Sequence, residues 1–159
     1  FGAIASTGFD SLVNERANRM KWPKGPAKYN VAMAVELPKF QPKRYQFTLD
    51  GKSFEREAML IAIGNGSSYG GGMLVCPDAD INDGLLDLMI LNPLSKREFV
   101  RMFPSVYEGK HIEHPMVEML RGREIQIEAN AVVYADGERI GPLPANITVA
   151  NGALNTWRA

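Results

Sequence analysis

The sequence predicts a mostly β domain carrying a few short helices, an α+β chain, and three observations lead there. Tyr45, Phe47 and Leu49 alternate with Arg44, Gln46 and Thr48 and run into Asp50-Gly51, the pattern of a half-buried strand entering a tight hairpin. Two apolar runs without alternation, Ala58 to Ile63 and Leu85 to Leu91, read as strands covered on both faces. Beyond Pro115 the chain is cut at short intervals by Gly122, Asn130, Asp136-Gly137, Gly141-Pro142 and Pro144, the rhythm of sandwiches and barrels.

The bulk numbers agree with a single globular domain. A chain of 159 residues buries a substantial core, and 45% hydrophobic with 23% charged residues is ordinary for a soluble fold. Eighteen basic residues balance eighteen acidic ones, so no global field draws the chain toward nucleic acid or anionic lipid. Cys76 is the one cysteine, which excludes an internal disulfide and a multi-cysteine zinc site and suits a reducing compartment. No apolar run approaches the roughly 18 residues of a membrane span. The chain opens at Phe1 without an initiator Met and reads as a fragment of something longer.

Taken in order, Phe1 to Ser6 is a short strand broken at Thr7-Gly8. A helix follows from Asp10, with Leu12, Val13, Arg16, Ala17 and Met20 near one face and Asp10 or Ser11 as the N-cap. Trp22-Pro23-Lys24-Gly25-Pro26 is a kinked connector to a second helix from Ala27, with Val31, Ala32 and Val35 inward and Pro38 closing it. The hairpin strand from Arg44 and its return, Ser53 to Glu57, lead into the two covered strands. Ser95 to Glu98 is a capping box that starts a short amphipathic helix bearing Phe99, Val100, Met102 and Phe103. His111 and His114 share a loop; lacking a nearby third ligand, they read as surface histidines rather than a metal site. The last strands are Met116 to Leu120, Glu124 to Glu128, Val132 to Ala135 and Asn146 to Val149.

Two stretches carry more chemistry than connections need. Asn65 to Asp87 packs five glycines and four aspartates between the covered strands. Gly70, Gly71 and Gly72 let the main chain reach positive φ and approach another group, while Asp78, Asp80, Asn82 and Asp83 are hard oxygen donors suited to Mg²⁺ or Ca²⁺. The same composition also makes an ordinary loop. An EF-hand fails, because its sixth position holds Asp83 in place of Gly and its twelfth holds Met89 in place of Glu. In the second stretch, Asp136 and Glu138 lie two apart and share a face of an extended chain, a pair able to act on one proton or one metal. Spacing alone favours a hairpin tip there, as at Asp50-Gly51.

Read in order, Asn65…Gly70-Gly71-Gly72-Met73, Pro77-x-Ala79-x-x-x-Asp83-Gly84-x-Leu86-Asp87 and Asp136-Gly137-Glu138 resemble one family. It is the diacylglycerol kinase-like lipid kinases, bacterial diacylglycerol kinases with their sphingosine, ceramide and phosphatidylglycerol kinase relatives. Ser6-Thr7-Gly8-Phe9-Asp10 is similar to the Gly-Phe-Asp that opens the second domain of those enzymes. The resemblance covers nearly the whole chain, and its wording is nearest to soluble actinobacterial diacylglycerol kinases.

The resemblance implies a two-layer β-sandwich, the C-terminal domain of the NAD kinase/diacylglycerol kinase-like fold. The family's nucleotide motif, Gly-Gly-Asp-Gly-Thr, is missing. Residues 1–159 would then be the C-terminal sandwich alone, without the N-terminal nucleotide-binding α/β domain and inactive by itself. By the same carry-over Glu138 is the general base and Asp136 its acidic partner. Asp80, Asp83 and the Leu85 carbonyl hold a structural Mg²⁺, and Asn65, Gly70, Gly71 and Gly72 line the cleft toward the nucleotide. The implied reaction moves the ATP γ-phosphoryl group to a diacylglycerol hydroxyl, giving phosphatidic acid. ATP would be held mainly by the absent domain.

Met73, Met89 and Met102 are candidate walls for acyl chains, although methionine's habit of filling core gaps favours the core. The implied setting is cytoplasmic with peripheral membrane contact and no nucleic acid; a homodimer is left open. Competing readings are a kinase for sphingosine or phosphatidylglycerol, a non-catalytic lipid-binding or regulatory sandwich, and, ranked lower, NAD kinase. All catalytic versions require the tip at residue 138 and the triglycine turn to face the same cleft.

Overall fold

In the computed structural model, which describes residues 1–25 and 27–153, strand β1 (Ile4–Gly8) runs through the middle of a six-stranded antiparallel sheet. The order across that sheet is β6-β5-β4-β1-β8-β9, where β4 is Leu60–Gly64, β5 Leu86–Leu91, β6 Val117–Gly122, β8 Val132–Ala135 and β9 Glu138–Pro142. A four-stranded sheet, β10-β7-β2-β3, packs against it, built from β2 (Lys43–Leu49), β3 (Lys52–Ala58), β7 (Glu124–Glu128) and β10 (Ala145–Thr148).

The sandwich core lies between the sheets. Tyr45, Phe47 and Leu49 of β2 and Ile125 and Ile127 of β7 meet Ile61, Ile63, Leu86, Leu88 and Ile90 of the larger sheet. Each sheet alternates its residues across its two faces, so the expected alternation of β2 places all three apolar side chains inward. The expected two-layer sandwich is present, and a helical layer covers the outer face of the larger sheet. There Ile4, Ala62, Met89 and Leu91 pack with Phe9, Val13 and Ala17 of α1 (Phe9–Arg19), Ala32 of α2 (Ala27–Glu36) and Phe99 of α3 (Lys96–Met102). Phe9 sits edge-on to Phe40 at 5.3 Å and to Phe99 at 5.2 Å between ring centres. This third layer is why β4 and β5 are apolar on both faces.

Several local expectations need correction. The N-cap of α1 is Gly8, at φ 100°, and Asp10 lies inside the first turn. Phe9 N–H donates to the Met59 carbonyl at 2.8 Å, so the backbone crosses too close for a side chain at position 8. A Cβ on Gly8 would come within 2.6 Å of that carbonyl. Along α2, Val31 and Val35 point outward and Ala32 is the residue buried. Val100 is exposed on α3, whose start does carry the expected capping box, with Ser95 and Glu98 bonded reciprocally. His111 is buried rather than at the surface: its Nε2 faces the Val75 carbonyl at 3.1 Å, and burial lowers its pKa below the ordinary 6.5. The expected patterning also missed β9, an edge strand whose Ile140 is exposed. Of the connector between α1 and α2, Pro26 lies outside the described residues.

Candidate active site

Between β4 and β5 the chain leaves the sheet and pinches. Tyr69 and Met73 exchange both backbone hydrogen bonds at 3.1 Å, which throws Gly70, Gly71 and Gly72 into a small projecting loop. All three glycines take positive φ, at 55°, 82° and 92°, as their sequence requires. Below the loop Cys76 is buried, its Sγ 3.5 Å from the Asp87 carbonyl, and burial with the Asp87 charge pushes the thiol up to about 12, so it is inert.

The Asp136-Gly137 turn between β8 and β9 stands beside the start of β1. Asp136, at φ 49°, accepts the backbone N–H groups of Gly2 (2.6 Å), Ala3 (3.0 Å) and Ile4 (3.1 Å). Asn65 ties the same segment from the other side, donating its Nδ2 to the Gly2 carbonyl at 3.0 Å while its N–H reaches the Ala3 carbonyl at 2.9 Å. Asp50-Gly51 is built alike: Asp50, also at φ 49°, accepts the N–H groups of Arg123 and Glu124 at 2.9 Å each. Both Asp-Gly turns are therefore clamps on a neighbouring segment. Glu138 is the first residue of β9 and is exposed.

Under the helical layer the larger sheet leaves a cavity of about 990 Å³. Its walls are mostly apolar: Met73, Met89, Leu91, Phe99, Met102 and Val106 are among them. The three methionines named from the sequence belong to both descriptions, since they pack on the helical-side core and also line the cavity. Gly70, Gly71, Asp136 and Gly137 line this same space, so the triglycine loop and the second Asp-Gly turn open on one cavity. Asn65, Gly72 and Glu138 are not among the lining residues.

A polar cluster in this wall went unseen as a site in the sequence. Asp10 Oδ2 accepts from the Ser6 hydroxyl and from Asn14 Nδ2 at 3.0 Å, and the Tyr69 hydroxyl bonds the same carboxyl. Burial pushes the Asp10 pKa above 3.8, with Ser6, Tyr69 and Asn14 opposing that shift. Burial, then the Asp10 charge, also drives the Tyr69 hydroxyl far above its ordinary 10.0, so it stays protonated and donates. The available signal was the Gly8-Phe9-Asp10 run, but an aspartate at a helix start reads first as a cap.

The aspartate loop holds oxygen donors of the hardness Mg²⁺ takes. Asp80 Oδ1 accepts both the backbone and side-chain N–H groups of Asn82, at 2.9 and 2.8 Å. Asp83 Oδ1 accepts from Leu85 N at 2.8 Å, and its Oδ2 lies 3.6 Å from the Arg121 guanidinium. Arg121 also grips buried Asp87 through two nitrogens, at 3.1 and 3.2 Å, and donates to the Asp78 carbonyl at 3.0 Å. Among the described residues no cluster of three or more His, Cys, Asp or Glu side chains converges as a metal site.

Comparison with known proteins identifies the family. Residues 3–158 match the family described as the YegS C-terminal NAD kinase beta sandwich-like domain. A diacylglycerol kinase of Mycobacterium tuberculosis (strain ATCC 25618 / H37Rv) is 43% identical over 160 residues, covering 99% of this chain and 52% of that protein. One from Bacillus subtilis (strain 168) is 30% identical over 135 residues, 84% of this chain and 45% of its own. The crystal structure of a diacylglycerol kinase from Bacillus anthracis str. Sterne shares the fold with a TM-score of 0.61 at 19% identity, over 96% of this chain and 47% of that one. The chain thus spans about half the length of the curated relatives it matches. It belongs to the YegS C-terminal β-sandwich family, the C-terminal domain of diacylglycerol kinase-like lipid kinases.

Proposed function

We propose that this chain is the lipid-binding, proton-accepting half of an ATP-dependent kinase that converts a diacylglycerol to phosphatidic acid. The observation that carries the reading is the shared wall: one large apolar cavity has the triglycine loop and the Asp136-Gly137 turn at its border, with Glu138 one residue beyond. Acyl chains suit the methionine and phenylalanine walls, and the carboxyl at Asp10 offers an acceptor to a polar headgroup.

Phosphoryl transfer asks little covalent chemistry of the protein beyond positioning and charge. The acceptor hydroxyl oxygen bonds to the γ-phosphorus of ATP as the bond to ADP breaks, and Glu138 takes the hydroxyl proton. Asp136 holds the turn, and through it the angle at which Glu138 stands. Asn65 and Gly70 to Gly72 shape the face toward a nucleotide-binding α/β domain, which completes the cleft. Mg²⁺, when bound by Asp80, Asp83 and the Leu85 carbonyl, offsets the charge of the loop and steadies the entry to β5.

The test joins the chain to a nucleotide-binding domain of a relative and follows ATP-dependent phosphorylation of diacylglycerol, sphingosine and phosphatidylglycerol. Diacylglycerol should be the preferred acceptor, and Glu138→Gln should reduce kcat by a factor of about 10² to 10⁴, the usual worth of a positioned base. An unchanged rate removes Glu138 from the chemistry. Lipid binding with no phosphorylation in any fusion favours a lipid-binding module instead.

A further inference from the structure

The segment from Asp78 to Asp87 carries four aspartates and no basic residue, so the charge that balances it has to come from another part of the chain. Arg121 brings it. Strand β6 is an edge of the larger sheet and pairs with β5 so that Arg121 stands directly across from Asp87. Its guanidinium ties three points of the loop at once. Nε and Nη2 meet the two carboxylate oxygens of Asp87 at 3.1 and 3.2 Å, Nη2 donates to the Asp78 carbonyl at 3.0 Å, and Asp83 Oδ2 lies 3.6 Å away. The start of the loop, its last turn and the strand it enters are thus gathered by one side chain, 34 positions beyond Asp87. Asp87 is 5% exposed, so losing this cation would leave a covered charge uncompensated.

Both oxygens of Asp83 have protein partners, Oδ1 the Leu85 N–H at 2.8 Å and Oδ2 the guanidinium. A divalent ion taking Asp83 meets a carboxylate that is already compensated and comes close to a positive charge. The Arg121 side chain is 43% exposed at the sheet edge, which leaves it room to swing aside. We infer that Arg121 is the resident counter-cation of the aspartate loop: it holds the loop closed by itself and contends with a divalent ion for Asp83. The inference rests on the reading of that loop as a divalent site and names the residue that sets how tightly the site binds. Its consequence is that the entry to β5, and with it the cavity residues Met89 and Leu91, keeps its place when divalent ions are scarce.

The experiment uses the full chain with Mn²⁺ as the probe. Free Mn²⁺ is counted by its paramagnetic resonance signal, and thermal unfolding is followed by circular dichroism in EDTA and in excess Mg²⁺. The parent should unfold at the same temperature in both and bind Mn²⁺ weakly. Arg121→Gln should lower Tm in EDTA by about 5–10 °C, regain part of that loss in Mg²⁺, and bind Mn²⁺ about tenfold more tightly than the parent. Adding Asp83→Asn to Arg121→Gln should abolish the gain in Mn²⁺ affinity. Arg121→Lys keeps a charge beside Asp87 but lacks the fork that spans to Asp83. It should fold even where the glutamine variant does not, with about half the fall in Tm and about a threefold gain in Mn²⁺ affinity. A Tm unchanged by Arg121→Gln overturns the inference. Mn²⁺ binding that is equal in parent and variants also overturns it, while leaving the loop's divalent reading intact. Lost stability with no Mn²⁺ bound by parent or variants overturns the contention for Asp83 and the divalent reading together.

Discussion

Replacing Asp136 with alanine removes an acceptor shared by three backbone N–H groups, at 2.6, 3.0 and 3.1 Å. Hydrogen bonds to a charged group contribute about 1.5–3 kcal/mol in shielded settings, and the exposure of this turn puts the loss near the lower end, about 1.5 kcal/mol. Alanine must also hold a left-handed φ of 49°, which costs about 1 kcal/mol more. The sum, about 2.5 kcal/mol, corresponds to a fall in Tm of about 5–10 °C for a domain of this size. Asparagine keeps one oxygen and tolerates the backbone, so its loss should stay below about 1 kcal/mol. Glycine relieves the backbone and loses the acceptor, so it should fall between the two.

Thermal and urea unfolding followed by circular dichroism at pH 7 rank the set. Acid gives an independent check. Burial raises the Asp136 pKa, but the N–H groups of Gly2, Ala3 and Ile4 outweigh it and hold the carboxyl below 3.8. A depressed carboxyl adds stability that is fully present above its unfolded pKa and is lost as pH falls through the folded one. The gap between parent and alanine variant should therefore stay constant from neutral pH down to about 5 and narrow below about 4. An alanine variant within about 0.3 kcal/mol of the parent, or a gap that ignores acid, refutes the clamp.

Other expectations follow from the same geometry. Gly8→Ala forces a Cβ to within 2.6 Å of the Met59 carbonyl and 2.7 Å of the Tyr45 hydroxyl at φ 100°, and should cost about 3 kcal/mol or more in urea unfolding. Asp10→Asn should raise Tm at pH 7. Burial lifts the Asp10 pKa above 3.8, so its charge subtracts from stability at neutral pH, and the variant's advantage should vanish as pH falls through the raised value toward 3.8. Ile90→Ala opens a void in the sandwich and should cost about 3–4 kcal/mol, whereas Leu91→Ala enlarges an existing cavity and should cost about 2, both read from denaturant midpoints.

Much of the sandwich was legible because its strands obey short-range rules. Glu124–Glu128 and Val132–Ala135 match their expected bounds, and the Ser95 cap matches to the residue, since pleat and capping act within a few positions. Strand β9 escaped because an edge strand with an exposed Ile140 carries no inward pattern. On α2 the valines seemed to mark an inward stripe, yet the helix meets the core through Ala32, and no local rule says which face a neighbour will cover. The site divides similarly. Loop glycines and the Asp-Gly turn are local signals, but the cavity exists only where three helices, packed from distant parts of the chain, fail to close on the sheet. Asp10 therefore looked like a cap and His111 like a surface residue.

The larger sheet is a partition between two compartments with different demands. Along β5, Leu86, Leu88 and Ile90 belong to the side facing the smaller sheet, while Met89 and Leu91 face the helices and the hollow beneath them. Consecutive positions of one strand are thus open to separate adjustment. Residues on one side can change to resize or reshape the hollow, and those on the other stay constant to keep the scaffold rigid. A fold with this wall can vary the hollow at a smaller cost in stability than equal changes between the two sheets would carry.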